Sequence, residues 1–137
     1  MKAYLLGFLV SVGILAAVPA FAHHPFSAEY DSKKPVTITG TVTKVDWTNP
    51  HAFLMVDQKD TSGQITNWKI ELGGPGALTR RGWHRNSVKA GDQVTVEGWM
   101  AKDGSKHANA KDVALADGHK LNAASSYYDK AEKSSSH

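Results

Sequence analysis

From residue 36 the chain alternates strictly, with Val36, Ile38, Gly40 and Val42 set between Thr37, Thr39, Thr41 and Thr43. A period of two is what an extended strand with one buried face requires. The apolar parity then slips to Val45 and Trp47, so one extra residue, a bulge, is expected in this strand, where bulges commonly bend the long strand of a small barrel. Asn49-Pro50 marks a turn or strand break, because Pro50 lacks an N–H and restricts the residue before it. Residues 52–56 are apolar on both parities, as suits a central strand, and residues 57–63 form the hairpin connection. Residues 65–72 resume alternation, with Trp68, Ile70 and Leu72 on one face and Asn67, Lys69 and Glu71 on the other.

Gly73-Gly74-Pro75-Gly76 stops that third strand, and Pro75 opens a short helix carrying Ala77, Leu78 and Arg81. A further helical turn is expected from Asn86 or Ser87 to Ala90. Val94, Val96 and Gly98 then face away from Thr95, Glu97 and Trp99 on a fourth strand, and residues 108–115 make a weaker fifth. The fold predicted is all-β, a small five-stranded barrel of the oligonucleotide/oligosaccharide-binding (OB) type with a short helix between strands 3 and 4. Closure removes exposed edges, and glycines in the first and fourth strands help the sheet curl. An open sandwich is the competing fold.

The start of the chain has its own pattern: Lys2, an apolar run over residues 4–18, and Ala20-Phe21-Ala22. Positive start, apolar middle and small-x-small ending read as a secretory signal peptide over residues 1–22. The run is short for a membrane span and is interrupted at Ser11, Gly13 and Pro19, so no stable insertion is expected after cleavage. Residues 23–35, with Pro25 and Pro35, read as an arm, residues 36–122 as the barrel and residues 123–137 as a loosely held, flexible tail for which Tyr127 and Tyr128 are the docking candidates. The absence of cysteine excludes a lipoprotein anchor, a disulfide scaffold and thiolate catalysis. The net charge is +3, one less without Lys2, a balance that predicts no nucleic-acid partner. The expected product is a soluble periplasmic protein.

Cleavage after Ala22 makes His23 the first residue, with a free α-amine and an imidazole together. Their ordinary pKa values, about 7.7–8.0 and 6.5, leave both available to a metal near neutral pH, where lysine near 10.4 is not. The amine and Nδ1 of His23 form a chelate for Cu(II), which His24, His51 or His84 would complete as a mostly nitrogen, tetragonal site. Copper is the expected ion and zinc the second choice. The competing reading is an exposed His-His pair with incidental affinity. His107, His119 and His137 lie in polar surroundings and read as surface residues.

Trp47-Thr48-Asn49-Pro50-His51 falls where the first two strands join, a rim position from which small barrels often contact ligands. A purely structural account has Trp47 capping the core, Asn49 capping its own turn and His51 donating to a backbone carbonyl. Arg80-Arg81-Gly82-Trp83-His84-Arg85 concentrates cations around an aromatic. Its guanidinium groups suit carboxylate or phosphate, with Trp83 as a stacking face; a solvated positive rim around a buried tryptophan is the alternative. Trp47, Asn49, His51, Arg81, Trp83 and Arg85 are thus the candidate ligand-binding rim. No His-Glu-x-x-His, phosphate loop, Gly-x-Ser-x-Gly or cysteine pair occurs, and nothing in the sequence sets two of Glu71, Asp46 and Asp57 face to face. No catalytic residue is assigned.

Several segments carry a family resemblance: His23-His24-Pro25-Phe26, Gly40-Thr41-Val42 leading to Val45-Asp46-Trp47-Thr48-Asn49-Pro50-His51, Trp68 with Glu71-Leu72, Gly82-Trp83, Lys89-Ala90-Gly91-Asp92 and Ala101-Lys102-Asp103-Gly104. Together they cover most of residues 23–122 and resemble DUF6152, a family of small exported proteobacterial proteins of unknown function. The resemblance implies an exported barrel-like domain and carries no activity or catalytic residues. The family's third mature residue looks to be Ser where Pro25 stands here; Pro25 has no N–H, so a copper mode using that amide nitrogen is closed, while chelation by the His23 amine and imidazole survives.

The leading function class is an exported binding module of unknown ligand, with copper or zinc held through His23. A structural or protein-interaction module of the periplasm, without a metal, comes next and requires an exposed apolar patch around Phe26, Trp47 and Trp83. A copper-dependent oxidative enzyme on the same chelate is third. The partner is an unknown periplasmic protein or a small ligand.

Overall fold

A computed structural model describes residues 25–129. The expected signal peptide, His23, His24 and residues 130–137 lie outside the described residues. The alternating segment is the second half of a long strand, β1 (Tyr30–Asp46), which pairs antiparallel with β4 (Gln93–Ala101) and, past Thr41, with β2 (Phe53–Lys59). Val42 stands opposite Val56 and Lys44 opposite Met55, so Thr43 is the extra residue of a bulge. That insertion moves the inward parity from Val42 to Val45. β3 (Ile65–Glu71) is antiparallel to β2, β5 (His107–Leu115) is antiparallel to β4, and β3 and β5 run parallel over Lys69↔His107, Ile70↔Ala108 and Glu71↔Asn109.

That parallel pairing closes the ring in the order β1-β2-β3-β5-β4, which excludes the open sandwich. A helix of one to two turns, α2 (Pro75–Arg80), lies between β3 and β4, after a four-residue helix, α1 (Phe26–Glu29), at the start. The barrel is therefore the five-stranded OB-like one that the pattern predicts, with a short β6 (Lys120–Asn122) added along β5. Ile38, Leu54, Val56, Ile70, Val96 and Val113 fill its interior, joined by Leu78, Trp83 and Val88 from α2 and the loop after it. A Cβ on Gly40 would lie 2.2 Å from the carbonyl oxygen of Asp57, and one on Gly98 would lie 2.0 Å from that of Asn109. These are the glycines of the first and fourth strands, and their bare backbones let neighbouring strands approach this closely.

Three expectations are corrected. β1 begins at Tyr30 rather than Val36, because residues 32–35 are exposed on both faces and offer no alternation; among the described residues the arm is confined to 25–29. Residues 85–90 are turns rather than helix. The tail expected to be flexible from residue 123 is docked as far as Tyr128, in part through the two tyrosines that were its docking candidates. Ala123 and Ala124 are buried, the Gly73 N–H donates to Ala123 O at 2.8 Å, and the Tyr127 ring packs 4.7 Å from Trp99 and 5.2 Å from Phe26. Alanines carry little apolar weight in a sequence, yet their size is what fits here: a Cβ on Gly73 would lie 2.6 Å from Ala124 Cβ. Among the described residues, no helix is long and apolar enough to cross a membrane.

Candidate functional site

Alternation along β3 puts Asn67, Lys69 and Glu71 on its outward face, and the first two are exposed. Glu71 is only 8% exposed, because the start of β1 lies over it. Tyr30, itself buried, donates its hydroxyl to Glu71 Oε2 at 2.5 Å. The other carboxylate oxygen, Oε1, lies 3.2 Å from His51 Nδ1, which is also 3.1 Å from Leu72 O. His51 ends the loop before β2. Its carbonyl accepts from Thr48 Oγ1 at 3.3 Å, and reciprocal backbone bonds of Ala52 with Leu72 and Gly73 fix the loop against the end of β3. Two acceptors converge on Nδ1, so that nitrogen carries a proton.

Burial pushes the Glu71 carboxyl above its ordinary 4.5; the Tyr30 hydrogen bond, His51 and Lys69 pull the other way, and Glu29 adds to the rise. Tyr30 is pushed up by burial and by Glu71, and stays protonated. With the folded value above the unfolded one, folding favours the protonated carboxyl. This contribution is whole below 4.5 and is lost as pH rises through the folded value. Glu71→Gln keeps the shape without ionising, so it is expected to flatten the fall in stability from acid to neutral pH and to equal or exceed the native protein at neutrality. Urea midpoints across that range measure this; a neutral-pH loss above about 1 kcal/mol would mean that the site favours the ionised carboxylate.

Asn109, the register partner of Glu71, is also buried. Its Oδ1 accepts from Ser125 Oγ at 2.6 Å, and its Nδ2 has no hydrogen-bond partner among the described residues. The other two carboxylates singled out from sequence are engaged elsewhere, Asp46 with Lys44 at 3.0 Å and Asp57 with the Asn67 amide at 2.6 Å.

The expected rim comes together only in part. Trp47 and Arg85 line one open groove of about 590 Å³ between the end of β1 and the loop after α2, with Thr48, Asn86 and Lys89. Asn49 is exposed and precedes Pro50 through a cis peptide bond. Arg81 is exposed at the end of α2. Trp83 is a correction: it is 3% exposed in the core and donates its indole N–H to Asn122 O at 2.8 Å, so the cations around it are a solvated rim over a buried ring. His84 is exposed and turned onto its own loop, its Nδ1 accepting from the Asn86 N–H at 3.3 Å. His107 and His119 are on the surface. Among the described residues, no three His, Asp or Glu side chains gather as a metal-holding group; the two N-terminal histidines of the expected set lie outside them.

Sequence reasoning missed Tyr30 altogether and left Glu71 without a role. The fold and this cluster define a small OB-like barrel with a largely buried cluster of Tyr30, Glu71 and His51 across the outer end of β3. The chain belongs to DUF6152, a family of unknown function, which matches residues 11–110. No curated protein matches the chain. Among solved structures it is similar to the mitochondrial single-stranded DNA binding protein Rim1 from S. cerevisiae, with a TM-score of 0.48 and 16% identity, over 61% of this chain and 93% of that one.

Proposed function

We propose that the chain is exported to the periplasm, loses residues 1–22, and serves there as a small binding module that holds copper through the amine and Nδ1 of His23 with His51 Nε2 as a third ligand. The observation that carries this reading is the seating of His51. Its Nδ1–H points at a carboxylate and a backbone carbonyl, the backing that metal-bound histidines commonly have. The same carboxylate also accepts from the hydroxyl of Tyr30, at the start of β1. Zinc is the second ion; it would accept the same nitrogen donors in a tetrahedral arrangement. The interaction-module reading keeps only part of its patch, since Phe26 and Trp83 are buried while Trp47 is half-buried and Tyr127 and Tyr128 are exposed beside Phe26 and Trp99.

The test is calorimetric titration of Cu(II) into protein beginning at His23, with mass spectrometry of the exported form to fix its first residue. One tight equivalent is expected. It should weaken roughly tenfold or more in His23→Ala, in His51→Ala, and in protein carrying one extra glycine before His23, which turns the amine into an amide. Binding unchanged by all three, or an exported form that starts elsewhere, would overturn the reading.

A further inference from the structure

We propose that the groove between the end of β1 and the loop after α2 is a ligand site of its own, which takes a small flat-ring carboxylate with the ring against Trp47 and the charge on Arg85. The groove is open and about 590 Å³, within the roughly 300–1,000 Å³ span of small-molecule sites. Its apolar lining is Val45, Trp47, Val88 and Ala90. Trp47 is half-buried, packed against the main core while still lining the groove. Tyr30, Glu71 and His51 are not among the lining residues, so the inference stands apart from the copper reading.

Both walls are held in place before any ligand arrives. The end of β1 is paired with β2 through Lys44↔Met55, Val45↔Leu54 and Asp46↔Phe53. Beside the bulge at Thr43, Val42 exchanges backbone hydrogen bonds with the opposite wall, its N–H donating to Asp92 O at 2.9 Å and its carbonyl accepting from the Gly91 N–H at 2.7 Å. That wall is also folded on itself. The His84 N–H donates to Ser87 Oγ at 2.8 Å, the Ser87 N–H donates to His84 O at 2.9 Å, and Val88 is buried in the core. A site fixed in advance loses little entropy when it binds. Charge then decides the class of ligand. Lys44 is paired with Asp46 at 3.0 Å and Lys89 with Asp92 at 3.1 Å. Arg85 is left as the lining cation without an ion pair, side-chain hydrogen bond or ring contact among the described residues. One uncompensated guanidinium matches the fork of a single carboxylate rather than a doubly charged phosphate. Trp47 offers the face on which a flat ring stacks, and the exposed Asn86 amide supplies a further donor.

The test is titration of naphthoate into isotope-labelled protein recovered after expression of the full chain, followed by NMR at the Trp47 indole N–H and the Asn86 side-chain amide. Saturable shifts at both groups, half-complete at about 1 mM or below, are expected. Naphthamide has the same ring without the charge and should bind roughly tenfold or more weakly, as should naphthoate to Arg85→Gln. Cyclohexanecarboxylate has the charge without the flat ring; it should lose about threefold or more, as should naphthoate to Trp47→Leu read at Asn86. Arg85 is exposed, so Arg85→Gln keeps the native melt, and leucine keeps an apolar side chain against the core at position 47. If Trp47→Leu nevertheless unfolds, Arg85→Gln and the two ligand analogues carry the test. Shifts that do not saturate by about tenfold above the expected midpoint, or naphthamide bound as well as naphthoate with no effect of Arg85→Gln, would overturn the site and leave Arg85 a solvated cation beside a core-capping ring. Naphthyl phosphate bound more than about tenfold tighter than naphthoate would overturn the match to a single negative charge. Copper titration of Arg85→Gln should give the native result, so failure of this site and failure of the copper reading are told apart.

Discussion

Replacing Trp83 with alanine is expected to destabilise the protein by about 3–5 kcal/mol, the range for emptying a buried large aromatic. The ring is 3% exposed and lies within the main core together with Leu78 and Val88. Two losses combine: the indole leaves a void between the loop and the barrel, and the Asn122 carbonyl loses the donor that meets it at 2.8 Å. Trp83→Phe isolates the second loss and should cost about 1 kcal/mol plus a smaller void. A tryptophan displayed at a solvated rim would cost under about 0.5 kcal/mol on truncation. Urea unfolding of the two variants therefore measures how far this ring serves the core, and a Trp83→Ala loss near that lower figure would contradict its placement.

Gly98→Ala is the second large effect. The added methyl would sit 2.0 Å from the Asn109 carbonyl oxygen and 3.1 Å from Ala110 Cα. Both are backbone atoms of the paired strand, so no side-chain rotation relieves the clash. β4 and β5 would have to separate where their register already shifts, between Glu97 and Gly98. Overpacking of this kind costs about 3 kcal/mol at the upper end of its usual range, which corresponds to a fall of roughly 12–24 °C in Tm for a domain of this size. Gly104→Ala is the control. Gly104 has φ +76° with nothing within 4 Å of an added Cβ, so only conformational strain of about 1 kcal/mol is expected there. Equal melting shifts for the two variants would mean that close approach of the strands is not what position 98 requires.

The barrel was legible because its strands bury one face and expose the other. Alternation located β1, the slip from Val42 to Val45 announced the bulge at Thr43, and the doubly apolar residues 52–56 marked a strand with neighbours on both sides. What stayed hidden depends on contacts between distant segments. Residues 32–35 lack alternation because neither face is covered, so the first half of β1 looked like an arm. The docking of residues 123–125 rests on small side chains fitting a glycine, and hydrophobic weight does not register that. Glu71 was placed on the correct face of its strand. Only the return of Tyr30 from 41 residues away turns that polar face into a buried one.

The barrel's circumference is fastened by long antiparallel ladders except between β3 and β5, where three register pairs do the work. Local opening favours the place where the fewest bonds must break. Glu71 and Asn109 sit opposite each other on the last of those pairs, with Tyr30 across the one and Ser125 across the other. Water entering when that join breathes therefore meets a carboxyl and an amide, groups that hydrate readily, before it reaches Leu54, Ile70 or Val113. The weakest stretch of the wall is lined where leakage does least harm.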